Sequence, residues 1–240
     1  MNDDVLMQVN GVTGGYGGGQ VLNGATFQLH TAEVLGLIGR NGVGKTTLMR
    51  SLIGIVPVSQ GHILLGETEI THATPQRRAR LGIGYVPQGR EVFSGLTVAE
   101  NLQVGMQFVR EHREFAGELL ERVLDYFPIL RQRLKQKAGT MSGGEQQQLA
   151  IARALVGSPK VLLLDEPSEG VQPSIVNVIA DTLARIAREL RVAVILVEQD
   201  IAMIQRAAQR CCVMDKGRVV DTLDQRQLSD DLLMRRHLAL

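Results

Sequence analysis

Tryptophan is absent, and aromatic residues make up only 3% of the 240 residues. Rings on which single-stranded bases could stack are therefore few. Neither sign of charge is in excess: Lys plus Arg is 26 and Asp plus Glu is 25, for a formal net charge of +1. Duplex nucleic acid is bound largely by phosphate neutralisation, so this balance speaks against a dedicated nucleic-acid-binding protein. Only two cysteines occur, Cys211 and Cys212, adjacent in the chain. Neighbours on a strand point to opposite faces, which predicts two small core residues and no disulfide framework. That usage fits a reducing compartment. No uninterrupted apolar run approaches the roughly 18 residues of a membrane span. The start, M-N-D-D-V-L-M-Q-V, lacks the basic segment and apolar core of a secretory signal. A soluble, cytoplasmic chain is expected, with association to a membrane protein left open.

What is present is ordinary globular composition, 44% apolar and 21% charged, long enough to bury one sizeable core. Short strands are expected at 5–9 and 25–29, either side of the glycine run 14–19. Apolar runs at 33–38, 161–164 and 192–197 read as buried strands. Helices are expected at 44–54, from Thr74-Pro75 onward, from Val98 to about Phe127 with Pro128 ending it, from Ser142 to about Val156, and along Ile175, Ile179, Leu183, Ile186 and Leu190. Strand pairs around turns are expected near 61–71 and at 210–221. Continuous apolar strands separated by helices predict an α/β fold with a mostly parallel sheet covered on both faces. The stretch 98–157 reads as an inserted helical subdomain in a single domain of 1–240, with 1–97 and 158–240 forming the core.

The strongest motif is Gly39-Arg40-Asn41-Gly42-Val43-Gly44-Lys45-Thr46, which matches G-x-x-x-x-G-K-[ST] between a predicted strand and helix. Its glycines let backbone N–H groups converge on phosphate oxygens, and the helix start adds its positive dipole end. Lys45 can reach the β- and γ-phosphates, and Thr46 can place its hydroxyl on Mg²⁺. The rival dinucleotide fingerprint G-x-G-x-x-G does not occur. At the end of the second apolar strand stand Asp165 and Glu166. A carboxylate at that place, beside a phosphate loop, suits Mg²⁺; its neighbour diverges and suits a general base. Asp165 is thus the candidate metal residue and Glu166 the candidate base.

A second glycine motif, M-S-G-G-E-Q-Q-Q-L at 141–149, has the S-x-x-E pattern of a capping box at a helix start. The same Ser142, Gly143 and Gly144 also offer a hydroxyl, two bare backbones and a dipole end to a phosphate. This S-G-G-E-Q-Q, some 100 residues after the phosphate loop and shortly before V-L-L-L-D-E-P, resembles the signature of ATP-binding cassette (ABC) ATPases.

The resemblance implies a phosphate-loop ATPase core with an N-terminal antiparallel β subdomain and a helical insert. It implies that Tyr16 stacks on adenine and that Gly39, Asn41, Gly42, Gly44, Lys45, Thr46 and Thr47 hold ATP. It gives Gln88 a link between the γ-phosphate, the metal and a membrane partner. Ser142, Gly143, Gly144 and Glu145 would complete the nucleotide site of a second subunit. The implied assembly is two ATPase subunits, here of non-identical type, beneath two transmembrane permease subunits on the cytoplasmic face of the membrane. A solute-binding protein would join indirectly.

Two positions depart from the family pattern. Gln172 stands where an Asp usually precedes the Pro, and Gln199 where a His usually contacts the γ-phosphate; none of His30, His62, His72, His112 and His237 is near that place in sequence. Both departures resemble the branch serving branched-chain amino-acid importers, and P-Q-G-R-E-V-F and S-E-G-V-Q-P look most like its urea and short-amide members. Gln199 is accordingly expected to orient the γ-phosphate. The competing readings are a non-transport ABC ATPase acting on DNA or ribosomes, and an unrelated phosphate-loop kinase or GTPase.

Overall fold

A computed structural model of the chain describes residues 5–107, 116–230 and 232–234. Two sheets are built. β1 (Val5–Gly14), β2 (Leu22–His30), β4 (Val58–Leu65) and β5 (Thr68–Glu69) form an antiparallel sheet in the order β2-β1-β4-β5. β3 (Val34–Ile38), β6 (Ile83–Val86), β7 (Val161–Asp165), β8 (Ala193–Val197), β9 (Arg210–Asp215) and β10 (Arg218–Leu223) form the second, in the order β10-β9-β3-β8-β7-β6. Every pairing in it is parallel except the β9–β10 hairpin.

The β3, β7 and β8 strands are buried along their whole length, as unbroken apolar runs require. Their side chains alternate between two cores. Val34, Leu162, Leu164, Val194, Leu196 and Cys211 face one, and Leu35, Val161, Leu163, Ile195 and Cys212 the other. The two cysteines thus point to opposite faces, both free and buried. Burial pushes both thiols up, that of Cys212 to about 11, the behaviour of core residues.

The helices follow their local signals. α1 (Lys45–Leu52) starts at the phosphate loop. α2 (Pro75–Arg80) has Thr74 accepting from the Arg77 amide and Pro75 in its first turn. α3 (Val98–Met106) opens with a capping box of Thr97 and Glu100. The expected helix from Val98 to Phe127 falls partly at 108–115, outside the described residues; α4 (Ala116–Tyr126) follows. Pro128 does end α4, but it also opens α5 (Pro128–Gln132), since its missing N–H costs nothing in a first turn. α6 (Gly143–Leu155), α7 (Pro173–Leu190), α8 (Ile201–Ala207) and α9 (Gln225–Leu228) complete the order. β1 runs on to Gly14, five residues past the expected end at Val9, because Val12 is also inward and Gly14 still pairs with Leu22 and Val58.

The helices α3 to α6 share the first core with the sheet: Leu102, Phe127, Leu149 and Ile151 join Leu162 and Leu164 in it. Gly36, in the middle of β3, packs close under α8: a Cβ there would stand 3.0 Å from Ile204 Cδ1 and from Cys211 Sγ.

Candidate active site

The carboxyl ends of β3, β6, β7 and β8 lie side by side in the parallel sheet, the usual place for a ligand in such folds. They deliver the phosphate loop, Gln88, the Asp165-Glu166 pair and Gln199 to one region. β3 runs into 39–44, a loop that ends on Gly44 at φ 107°, a left-handed conformation that favours glycine. A Cβ on Gly39 would collide with the Met214 carbonyl, and the Val43 carbonyl accepts from the Gly217 amide at 2.9 Å, so β9 and its turn shape the loop from below. Above Gly42 there is open space. The first ladder bond of α1 is Leu48 N–H to the Gly44 carbonyl, 2.8 Å. The amides of Lys45, Thr46 and Thr47 precede that ladder, and no side chain caps them.

Lys45 is buried. Its ammonium donates to the Gly39 carbonyl at 2.7 Å and the Arg40 carbonyl at 3.0 Å, and stands 3.9 Å from Glu166 Oε1. Burial lowers its pKa, while Glu166, Asp165 and Glu198 pull it back up. Asp165 is 1% exposed; its Oδ1 lies 3.4 Å from the Thr46 hydroxyl and its Oδ2 accepts from the Tyr85 hydroxyl at 3.3 Å. Burial raises the Asp165 carboxyl above its usual range against those hydrogen bonds. Such a carboxylate beside a hydroxyl, next to the phosphate loop, fits the oxygen donors that Mg²⁺ takes when substrate phosphates supply the rest.

Glu166 diverges from Asp165, as expected for neighbours with separate tasks. Its backbone is left-handed, φ 49°. Its Oε1 accepts from Gln199 Nε2 at 2.8 Å, and its Oε2 is 3.4 Å from Gln88 Nε2, which also donates to Glu169 at 3.0 Å. Gln199 therefore binds the candidate base directly, a contact that sequence spacing did not suggest. Tyr16 is 47% exposed, with its hydroxyl accepting from Arg50 Nη1 at 3.2 Å.

The second glycine motif stands apart from this group. Ser142 caps α6 in a reciprocal box with Glu145, and Glu145 pairs with Arg133 at 2.9 Å. Among the described residues, no hydrogen bond or ion pair joins Ser142, Gly143, Gly144 or Glu145 to the phosphate loop. Arg90 links the motif to the loop after β7: its guanidinium lies 3.0 Å from where a Gly143 Cβ would stand, and donates to the carbonyls of Glu169 and Gly170 at 2.9 and 3.0 Å. Sequence reading missed Arg90, Tyr85 and Glu198. Glu198 carries the signal used for Asp165, a carboxylate directly after an apolar strand.

Comparison with known proteins gives the family. Residues 22–169 match the model of the ABC transporter family, and the chain belongs to that family as an ATP-hydrolysing subunit. It is 42% identical over 205 residues to the high-affinity branched-chain amino acid transport ATP-binding protein BraG of Pseudomonas aeruginosa, covering 85% of this chain and 87% of that one. It is 38% identical to the probable branched-chain amino acid transport ATP-binding protein LivF of Archaeoglobus fulgidus, with 78% of each chain covered. The lipopolysaccharide export system ATP-binding protein LptB of Escherichia coli is 33% identical, with 85% of each covered. Among solved structures, cbiO1 of Clostridium perfringens, part of the ABC transporter complex cbiONQ, superposes with TM-score 0.85 at 26% identity over 97% of this chain and 94% of that one.

Proposed function

We propose that this subunit energises import of a small solute, a branched-chain amino acid, urea or a short amide, through a membrane permease. The observation that carries the reading is the likeness to BraG and LivF, higher than to the lipopolysaccharide exporter subunit. In this reading 1–240 is one ATPase domain, and 98–157 is its helical subdomain. Tyr16 stacks on adenine. The phosphate loop amides from Gly39 to Thr47, with Asn41 at the rim, hold the phosphates, and Lys45 leaves its loop carbonyls for the β- and γ-oxygens. Mg²⁺, when bound, neutralises phosphate charge, with Thr46, Asp165 and Gln88 as the residues that would hold it. Glu166 takes the proton of the attacking water, and Gln199 fixes the carboxylate while facing the γ-phosphate.

The Ser142–Glu145 motif serves the site of a second, non-identical ATPase subunit, which is consistent with its separation from its own phosphate loop. Two permease subunits complete the assembly on the cytoplasmic face, with a solute-binding protein acting indirectly and no nucleic acid. Among the described residues no helix is long and apolar enough to cross a membrane. A cavity of about 250 Å³ between α3, α6 and β6 supports a docking surface for the permease. Phe93, 46% exposed, lies along it under the Arg153 guanidinium, 4.8 Å from the ring centre, and Arg153 Nη1 has no hydrogen-bond acceptor.

The test has two arms. Lys45→Ala is expected to lose ATP binding and turnover, and Glu166→Gln to bind Mg-ATP, hydrolyse it very slowly and accumulate a dimer with the partner ATPase. Wild-type turnover in either variant refutes its assigned role. Uptake of labelled leucine, urea and acetamide by cells lacking the gene decides the solute; unchanged uptake of all three refutes the import reading.

A further inference from the structure

Glu198, the residue after β8, is 1% exposed. Burying a carboxylate is costly unless donors satisfy it, and burial raises its pKa. Four donors do so, from two separate loops. Oε1 accepts from the Ser168 amide at 2.8 Å; Oε2 accepts from the Ser168 hydroxyl at 2.8 Å, the Gln199 amide at 3.0 Å and the Asp200 amide at 3.3 Å. An apolar residue here would avoid the burial cost and leave those three amides without partners.

We infer that Glu198 is a positioning residue for the hydrolytic step: it ties the loop after β7 to the turn after β8 and so holds Glu166 and Gln199 in register. The inference rests on the reading of Glu166 as the base. Glu166 occupies a left-handed backbone conformation, φ 49°, which a non-glycine residue keeps only where its surroundings over-determine it. Two fixed points do this. The Glu166 amide donates to the Val197 carbonyl at 2.9 Å, and two residues later Ser168 is bonded twice to Glu198. The other end of the Glu166–Gln199 bond is referenced to the same carboxylate through the Gln199 amide. Both partners of the catalytic pair are therefore positioned from one buried group, whose hydrogen bonds go to the loop after β7 and the turn after β8.

Glu198→Gln tests this selectively. The glutamine carbonyl oxygen can keep the Oε2 position, where three donors converge. Its NH₂ group then faces the Ser168 amide, donor against donor, so the amide half of the tie to the loop after β7 is lost and replaced by a repulsive contact, while the Ser168 hydroxyl bond and the cap of the turn at 199–200 remain. We expect kcat at saturating Mg-ATP to fall at least about tenfold, equivalent to about 1.4 kcal/mol of transition-state stabilisation. Affinity for a fluorescent ATP analogue and the thermal midpoint should stay near wild type. Ser168→Ala, which leaves the carboxylate in place, should lower kcat in the same direction by less, and it supplies the kinetic reading if Glu198→Gln folds poorly. Wild-type kcat in both variants overturns the inference, as does a loss of nucleotide affinity and thermal stability in step with kcat, the pattern of a merely structural residue. Glu166→Gln is measured alongside. If it turns over normally, the base assignment and this inference fall together; if it is inactive while Glu198→Gln and Ser168→Ala are normal, this inference alone falls.

Discussion

Gly105, in α3, sits where α3 crosses α6, and replacing it by alanine sets two opposed effects against each other. Alanine is favoured over glycine in a helix interior by about 1 kcal/mol. Against this, the new Cβ would fall on the Arg153 carbonyl oxygen and stand 2.7 Å from Val156 Cγ2. A backbone carbonyl cannot turn aside as a flexible side chain does, so α3 must withdraw by about 1 Å to restore ordinary contact distances. Overpacking of a well-filled core costs about 1–3 kcal/mol, and a backbone clash belongs at or above the upper end. The clash wins, and Gly105→Ala should destabilise by about 2 kcal/mol net. For a domain of this size that corresponds to a thermal midpoint lowered by about 4–8 °C. Gly117→Ala is the control: nothing stands within 4 Å of a Cβ there, in the first turn of α4, so the propensity gain is unopposed and the midpoint should rise slightly. Differential scanning calorimetry of both variants reads the result. A midpoint for Gly105→Ala at or above wild type would show that α3 and α6 are not held at this spacing. The wall of the proposed docking cavity, which Gly105 and Arg153 line, would then be wrongly drawn.

Three further outcomes follow from the site. Asp165→Asn should raise the thermal midpoint without nucleotide at pH 7: the folded-state pKa of Asp165 is raised, so the ionised carboxyl costs stability above that pKa, and the variant's advantage should shrink as pH falls toward about 4. An advantage that grows on acidification would contradict the sign. Gln172 is the N-cap of α7 in extended conformation but makes no side-chain cap bond; Gln172→Asp should gain about 1 kcal/mol, seen as a higher urea midpoint, and an unchanged midpoint would mean that the cap is not formed. Gln199→Ala should lower turnover at saturating Mg-ATP by about tenfold, part of the 10²–10⁴ that a positioned base supplies, whereas Gln199→His should retain activity and gain a pH dependence near the imidazole pKa, about 6.5. Wild-type turnover in Gln199→Ala would make its bond to Glu166 incidental.

What was legible in the sequence is what is local. The three buried strands, the Thr74-Pro75 helix start, the Ser142–Glu145 capping box and the opposite facing of Cys211 and Cys212 all depend on residues within one turn or one strand of each other. The phosphate loop belongs here too, because its glycines, lysine and threonine are contiguous. What was not legible is contact between distant segments. Tyr85 meets Asp165 across 80 residues, and Glu198 meets Ser168 across 30; nothing in the spacing V-E-Q-D announces either. In sequence Pro128 marks a helix end, since a helix end and a helix start carry the same proline, and the packing of Leu130 into the first core is what separates them. The family pattern directs Gln199 to a phosphate by register; the structure adds that its side-chain Nε2 donates to Glu166.

These features share one physical economy. Around Lys45 stand Asp165, Glu166 and Glu198, three carboxylates influencing one ammonium, in a place where burial already disfavours charge on Lys45, Asp165 and Glu198. The backbone adds its own strain at Glu166. Such a site is not where the chain gains stability. It is carried by the sheet beneath it, whose β3, β7 and β8 are buried throughout and pair in register, Leu163 with Ile195 and Leu35 with Ile195. A nucleotide that brings its phosphates to the uncapped amides of α1, and a cation to Asp165, relieves the cost on both counts. Binding should therefore stabilise the folded chain by the amount that its affinity and concentration set, RT ln(1 + [L]/Kd), with the relief of burial cost already contained in that affinity. The relief is concentrated on the four strand ends, so the response should appear as amide-exchange protection at 39–47, 165–170 and 198–200 before it appears in the antiparallel sheet. Protection that rises first in β1 and β2 would locate the nucleotide's effect away from the carboxylates and separate binding from the strain described at Glu166.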